Sequence, residues 1–216
     1  MDVMKELAPL RRHMVRFHDD TFFEQRMAKR FECHSDAYLT ILWADKMAND
    51  AYGNSLRKNG KVLKRFHPRE MIAIADYLNI NDPAIYVAIC LHDLPEEFKK
   101  QGWTYDRVEQ EFGRRVRWIV VAVTKHPGQK GMSEKERIRR TYAKVERGGR
   151  RAVLVKVIDR IQNHLDPYEG GEKQMMKKAS QTREYLIGLA ERFKVNTKYL
   201  MLSVLFVEEH CKPKKQ

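Results

Sequence analysis

The sequence predicts an all-α fold. Helical signals dominate over strand signals along the chain, several segments start at a residue that caps helices, and no hairpin turn separates the apolar runs. At 216 residues, of which 43% are hydrophobic, the chain is long enough to bury one core. Because no internal repeat or low-complexity linker divides it, we expect a single domain over residues 1–216, built as a helical bundle.

Capping residues and glycines predict where three of the helices begin and end. Asp, Thr or Ser at a helix start accepts hydrogen bonds from free backbone amides, and proline is tolerated at the first helical position. A glycine after the last turn ends a helix. The predicted boundaries are Asp82 followed by Pro83, Thr104 with Gly113 as the stop, and Ser133 paired with Glu136 as a capping box ahead of Gly148 and Gly149.

Two apolar segments, "VRWIVVAVT" and "AVLVKVIDRI", are rich in β-branched residues and fit either a buried strand or a buried helix. Because their neighbours are helical, both are predicted to be buried helices. Two more helices are predicted at residues 172–193 and 196–210, ahead of the basic end "CKPKKQ". The tryptophans lie in apolar helical patterns and are predicted to pack in the core, at Trp43, Trp103 and Trp118.

The chain is strongly basic. Its 42 lysines and arginines exceed its 29 acidic residues and give a net charge of +13, which attracts polyanions such as nucleic acids or phosphate-rich small molecules. The excess is densest at residues 125–151, where ten basic residues accompany three glutamates, although a run of this kind is also typical of a solvated helix face. No RRM, zinc-finger or basic-zipper signature is present, so a nucleic-acid partner is disfavoured.

A membrane-spanning protein and a disulfide-stabilised fold are also disfavoured. No segment approaches the roughly 20 apolar residues that cross a bilayer, and the first residues lack the apolar stretch of a signal peptide. We therefore expect a cytoplasmic protein with no membrane partner. Three widely spaced cysteines form neither a disulfide framework nor a metal knuckle: Cys33, Cys90 and Cys211.

Candidate metal ligands are spread over three segments. The stretch "ICLHDLPEEF" at residues 89–98 places His92, Asp93, Glu96 and Glu97 at the end of an apolar run. His67 precedes Pro68 at a predicted helix start, and Asp159 is the only acidic residue in a long apolar and basic segment. Each also has a plain structural interpretation: a polar helix start, a buried histidine, or an ion-pair partner for Lys156 or Arg160.

The order of these residues resembles the metal-ligand pattern of the HD phosphohydrolases: a histidine, a His-Asp pair, then a distant aspartate. The resemblance narrows to the hydrolase domain of the RelA/SpoT type, including the small alarmone hydrolases. It rests on four segments between about residues 44 and 166, namely "RKNGKVLKRFHP", "CLHDLPEE", "FGRRVRWIVVAVTK" and "KVIDRIQN". Two departures are Glu97, where the family has an aspartate, and Pro95, which predicts that the helix carrying His92 ends or kinks there.

This resemblance implies an HD-domain helical bundle with helical extensions at both ends of its family-like core. It also implies a manganese site formed by His67, His92, Asp93 and Asp159, although this mixed set of nitrogen and oxygen ligands also suits other divalent transition metals. Glu96 is assigned to orienting or deprotonating the attacking water, with Glu97 as support. The substrate-binding residues implied are Arg57 and Lys58 at the guanine end, and Lys156 and Asn163, which share a helix face with Asp159.

The implied reaction removes pyrophosphate from the 3′ position of guanosine tetra- or pentaphosphate, the alarmone of the stringent response. Two alternatives remain at this point. One keeps the metal and changes the substrate to a dNMP, NADPH or another phosphoester, because the HD site is generic. The other is a non-catalytic basic module that binds nucleic acid. The oligomeric state is not predicted.

Overall fold

Helices account for most of the residues described by the computed structural model, which covers residues 2–56, 65–129, 131–166 and 171–211. The all-α prediction is confirmed. The helices are α1 (Val3–Arg16), α2 (Asp20–Phe31), α3 (Asp36–Tyr52), α4 (Phe66–Tyr77), α5 (Pro83–Leu91), α6 (Leu94–Glu97), α7 (Tyr105–Val123), α8 (Glu134–Arg147), α9 (Gly149–Leu165), α10 (Gly171–Gln181), α11 (Ile187–Arg192) and α12 (Lys198–His210). Within these described ranges, no helix is long and apolar enough to cross a bilayer.

Helix α9 lies at the centre of the bundle. Every residue from Ala152 to Leu165 is buried, and α4, α5, α7, α8, α10 and α12 all pack against it. The segment "AVLVKVIDRI" has apolar residues on every side, which is typical of a helix enclosed by others. The prediction of buried helices was therefore right for this segment. The segment "VRWIVVAVT" is also helical, as the second half of α7, but it is buried only in part because Trp118 is exposed.

The predicted helix starts are confirmed. Asp82 caps α5 with Pro83 in its first turn, Thr104 caps α7, and the Ser133 hydroxyl accepts from the Glu136 amide at the start of α8. Only half of the predicted capping box forms, because the Glu136 carboxylate bonds to two arginines of its own helix, Arg139 and Arg140.

Two further boundaries show how single residues interrupt helices. At Gly113 the backbone adopts φ 85° and ψ 164°, so α7 is kinked there rather than ended as predicted. Only glycine reaches this conformation without strain. Near the other predicted break, α5 ends at Leu91 and α6 begins at Leu94, one residue before Pro95, as expected for a proline that cannot continue the preceding helix. The tail helix of residues 172–193 is α10 and α11 joined by a π-helical turn, Thr182–Leu186.

The tryptophan prediction was right for one residue and wrong for two. Trp103 is buried, but 51% of Trp43 and 57% of Trp118 are exposed. Trp118 lies on α7 between buried neighbours at Val116 and Ile119, but its own side chain is more than half exposed. The apolar pattern identified the helix but not the width of its buried stripe.

The N-terminal helices are held to the core by buried ion pairs. The Asp76 carboxylate of α4 accepts hydrogen bonds from Arg26 and Arg30 of α2 and is 2.9 Å from His13 Nε2 of α1. These partners outweigh the effect of burial and lower the pKa of Asp76 to about 2. This network gives the segment before the family-like core a structural role.

His164, on α9, is a buried neutral histidine and predicts a loss of stability in acid. Its Nδ1 is 2.9 Å from the Ser203 hydroxyl of α12, and burial, with the positive charge of Arg160, lowers its pKa to about 3 from 6.5. Between these values the unfolded chain binds one proton that the folded chain excludes, so stability falls as the pH falls through this window. The expected slope from this group is about 1.4 kcal/mol per pH unit.

The measurement is urea unfolding at intervals from pH 7 to pH 4. The His164→Asn variant keeps a polar atom near Ser203 but cannot titrate, so its free energy of unfolding should fall less steeply than that of the wild type. Parallel curves for the two proteins would contradict a neutral His164.

Candidate metal centre

Three segments bring the predicted ligands to one place beside α9. His67 lies in the first turn of α4, immediately before Pro68, and His92 and Asp93 form the link between α5 and α6. Asp159 projects from the middle of α9. The break between α5 and α6 places His92 and Asp93 outside regular helix.

The four side chains form a tight cluster. One ligand atom from each of His67, His92 and Asp159 lies within 4.8 Å of the other two, and all three residues are buried. His67 Nε2 is 3.7 Å from Asp159 Oδ1 and 3.9 Å from Asp93 Oδ2, while His92 Nε2 is 3.2 Å from the same Asp93 oxygen. The structure therefore brings together residues that lie up to 92 positions apart in the sequence.

Both histidines present Nε2 to the cluster. His92 Nδ1 donates to the Ile89 carbonyl at 2.7 Å, and His67 Nδ1 donates to Gln162 Oε1 at 2.6 Å. In a neutral imidazole that is protonated at Nδ1, Nε2 carries the lone pair and is the atom that binds a metal ion. The buried Nε2 of His92 lies 3.2 Å from Asp93 Oδ2, but no well-aligned hydrogen bond from a residue that the structure describes satisfies it. An unsatisfied buried nitrogen of this kind fits a metal ligand.

The electrostatics of the cluster also favour a cation. Burial alone would lower the pKa of His92, but Asp93 and Asp159 outweigh it and raise that pKa to about 9. The carboxylates thus stabilise positive charge at this position, which is what a divalent ion supplies. The histidine and carboxylate set matches the preference of first-row transition metals.

Asp159 is held by its own helix. Lys156 Nζ donates to Oδ2 at 2.8 Å, and Asn163 Nδ2 donates to Oδ1 at 2.6 Å. Burial would raise the pKa of Asp159, but the charges of Lys156 and Arg160 hold it well below its usual range. The prediction that Lys156, Asp159 and Asn163 share one helix face is confirmed.

The predicted catalytic glutamates lie on α6. Glu96 Oε1 accepts from the Lys125 backbone amide at 2.6 Å, so its carboxylate is directed towards the segment after α7. The Glu97 amide donates to the Asp93 carbonyl at 2.9 Å, which keeps one helical turn between the two residues despite Pro95. Arg57 and Lys58, predicted to bind substrate, lie outside the described residues.

Sequence reasoning missed a chain of hydrogen bonds behind His67. Gln162 of α9, which accepts from His67, donates through Nε2 to Glu70 Oε2 at 2.6 Å, and Glu70 Oε1 is 2.8 Å from His18 Nε2. Burial would raise the pKa of Glu70, but its bonds to His18 and Gln162 lower it. Partners that orient a ligating histidine in this way also support metal affinity.

Sequence reasoning also missed two lysines near the α9 residues Lys156 and Asn163. Lys178 Nζ of α10 donates to Asn163 Oδ1 at 2.8 Å, which adds a cation beside the predicted substrate residues. Lys144 of α8 is half-buried, and burial together with the nearby charges of Lys156 and Arg147 lowers its pKa. Neither lysine stands in a motif that marks it, because both reach the site from other helices.

The helical bundle gathers two histidines and two aspartates against its central helix, which is the arrangement that the resemblance to HD phosphohydrolases implies. No family model matches the chain. Over 152 residues it is 29% identical to the guanosine-3′,5′-bis(diphosphate) 3′-pyrophosphohydrolase of Aquifex aeolicus, and over 172 residues it is 29% identical to a probable GTP pyrophosphokinase of Mycobacterium leprae. These matches cover 70% and 78% of this chain but only 21% of each relative, so the chain spans about a fifth of their length.

A solved structure supports the same relationship at the level of fold. It is that of a metazoan ortholog of SpoT, described as hydrolysing ppGpp and as having a role in starvation responses. The TM-score is 0.63 at 20% identity, covering 79% of this chain and 94% of the other. The resemblance to RelA/SpoT-type HD hydrolases is confirmed, and the chain shares their helical fold.

Removing the hydrogen bond between His67 and Gln162 is expected to lower the affinity for a divalent metal. In Gln162→Leu, His67 Nδ1 loses its acceptor, so the imidazole is free to rotate or change tautomer. We expect divalent-metal affinity to fall by about 10- to 100-fold, the usual effect of removing such a partner. Titration calorimetry with Mn²⁺ measures this. The control is Gln181→Leu at the end of α10; equal losses in both variants would contradict a role for Gln162 in orienting His67.

Proposed function

We propose that the protein is a metal-dependent phosphohydrolase that removes pyrophosphate from the 3′ position of guanosine tetra- or pentaphosphate. The observation that carries the proposal is the buried cluster of His67, His92 and Asp159, with Asp93 beside it, in a chain similar to a named 3′-pyrophosphohydrolase. The proposal includes manganese as the ion and the cytoplasm as the location.

Four residues would hold the ion: His67 and His92 through Nε2, and Asp93 and Asp159 through carboxylate oxygens. A divalent ion bound there supplies a Lewis acid and makes water a better nucleophile near neutral pH. The hydrogen bonds at both Nδ1 atoms fix the direction of the imidazoles, and the bonds from Lys156 and Asn163 fix the Asp159 carboxylate.

In the proposed reaction a water oxygen attacks the phosphorus attached to the 3′ oxygen. The bond between that phosphorus and the 3′ oxygen breaks, and the nucleoside retains the oxygen as a hydroxyl. The products are pyrophosphate and GDP or GTP. Glu96 is proposed to orient the water and accept its proton, with Glu97 as support, since a carboxylate close to the attacking water can act as a general base.

Cations on three helices are proposed to bind the phosphates. Lys156 of α9 donates a hydrogen bond to Asp159, and Lys178 of α10 donates one to Asn163. Lys144 of α8 is close enough to Lys156 for that charge to help lower its pKa. Arg57 and Lys58 are proposed for the guanine end, with Asn163 near the sugar. The net charge of +13 favours capture of such a highly charged substrate.

The test is an assay of pyrophosphate release. The protein is purified with EDTA, supplied with Mn²⁺ and given guanosine tetraphosphate, with dNMPs and NADPH as competing substrates under the same conditions. We expect Mn²⁺-dependent release of pyrophosphate and GDP from the alarmone. If no divalent ion supports turnover, the enzymatic proposal is overturned. If another nucleotide is hydrolysed faster than the alarmone, that nucleotide is the substrate instead.

A further inference from the structure

A second candidate site lies at the start of α9, whereas the metal centre adjoins the middle of that helix. It is a cavity of about 610 Å³ between α7 and the start of α9. Asp159 lies eight residues beyond Arg151, which is roughly 12 Å along the helix axis. The residues that matter for its chemistry are Arg114, Arg115, Trp118, Gly148, Arg150 and Arg151.

The cavity gathers four exposed arginines. Arg151 is paired with Asp82, and Arg114 is 3.5 Å from Glu109. Among the residues that the structure describes, no acidic side chain pairs with Arg115 or Arg150. Unpaired guanidinium groups around one cavity repel each other, and an anion bound between them removes that repulsion. Arginine is also the side chain best suited to binding phosphate with two parallel hydrogen bonds.

Trp118 forms an aromatic wall of the same cavity. More than half of its surface is exposed, although burying an apolar side chain of this size would stabilise the folded protein. An exposed indole beside arginines is suited to stacking on a nucleobase, because every base has a π face and stacking contributes substantially to nucleotide affinity.

The start of α9 completes the site. No side chain caps this 17-residue helix at Gly148, and Gly148 and Gly149, where α8 ends and α9 begins, line the cavity. A Cβ at Gly148 would lie 2.4 Å from the Ala122 Cβ and 2.6 Å from the Ala152 Cβ, so a glycine is required where α8, α7 and α9 meet. Backbone therefore forms this part of the cavity.

We propose that this cavity is a second binding site, for a nucleotide whose base stacks on Trp118 and whose phosphates bind Arg115 and Arg150. Its volume is in the range typical of sites for a single small ligand. A second copy of the chain is a poorer fit, because two such arginine clusters would repel one another. The inference goes beyond the proposed hydrolysis and does not depend on it.

The experiment uses ADP as the probe, with EDTA present so that binding does not require the metal centre. Tryptophan fluorescence and calorimetry follow the titration. We expect saturable binding of one ADP that changes Trp118 fluorescence, and the same Kd for the His92→Ala variant. Trp118→Ala should weaken binding by about tenfold, the effect of losing one stacked base. Arg115→Ala combined with Arg150→Ala should weaken it by about a hundredfold.

Matched controls exist for both changes. Arg12→Ala removes an exposed arginine on α1, and Trp43→Phe changes the other half-exposed tryptophan; both should bind ADP like the wild type. The proposal is overturned if the wild type does not bind ADP, if the double arginine variant binds it equally well, or if pyrophosphate without a base binds as tightly. The proposal is also overturned, in favour of nucleic-acid binding, if single-stranded oligonucleotides bind far more tightly than ADP and their affinity increases with length.

Discussion

Replacement of His92 by alanine is expected to abolish pyrophosphate release while the bundle remains folded. The imidazole places its buried Nε2 3.2 Å from Asp93 without a well-aligned hydrogen bond, so its loss removes a proposed metal ligand and leaves Asp93 and Asp159 uncompensated. We expect kcat/KM to fall by about a thousandfold or more, which corresponds to roughly 4 kcal/mol of transition-state stabilisation. Steady-state kinetics with saturating Mn²⁺ measures kcat/KM for the variant and the wild type.

The control for this prediction is His34→Ala. His34 is an exposed histidine between α2 and α3, so it tests the loss of an imidazole without the loss of a ligand. Circular dichroism should show equal helix content in both variants. Wild-type turnover by folded His92→Ala would show that His92 does not bind the catalytic metal.

The largest effect on stability is expected at Asp76. In Asp76→Ala the cations of Arg26 and Arg30 lose the carboxylate that holds α2 against α4. Removing one partner of a buried ion pair leaves uncompensated charge, and we expect the free energy of unfolding to fall by about 3–5 kcal/mol. Urea unfolding measures this loss.

The matched comparison is Asp50→Ala. Asp50 is paired with Lys46 on the exposed surface of α3, where such a pair contributes about 0.3–0.5 kcal/mol. The two substitutions remove the same chemical group from different environments. Similar losses in the two variants would contradict the conclusion that the Asp76 network anchors the N-terminal helices.

Local signals in the sequence were sufficient to predict much of the fold. Asp82, Thr104 and Ser133 cap helices through contacts within three residues, so their roles are visible in a short window. The burial of α9 was equally visible because its apolar residues occur on all sides. Trp118 was misplaced because the apolar pattern of α7 does not reveal how wide the buried stripe of the helix is.

The order of motifs along the chain predicted the four residues that cluster at the centre, but not their neighbours. Gln162 and Glu70 are separated by 92 residues and meet only because α4 packs against α9. Lys178 likewise reaches Asn163 from α10. Contacts of this kind depend on how helices pack, and a single sequence carries no local signal for them.

The most direct test of the account is a crystal structure of the protein grown with MnCl₂, with anomalous scattering used to locate the ion. We predict one strong peak about 2 Å from Nε2 of His67 and His92 and from carboxylate oxygens of Asp93 and Asp159. A protein that binds no manganese there, or binds it only at another position, would contradict the proposed catalytic centre.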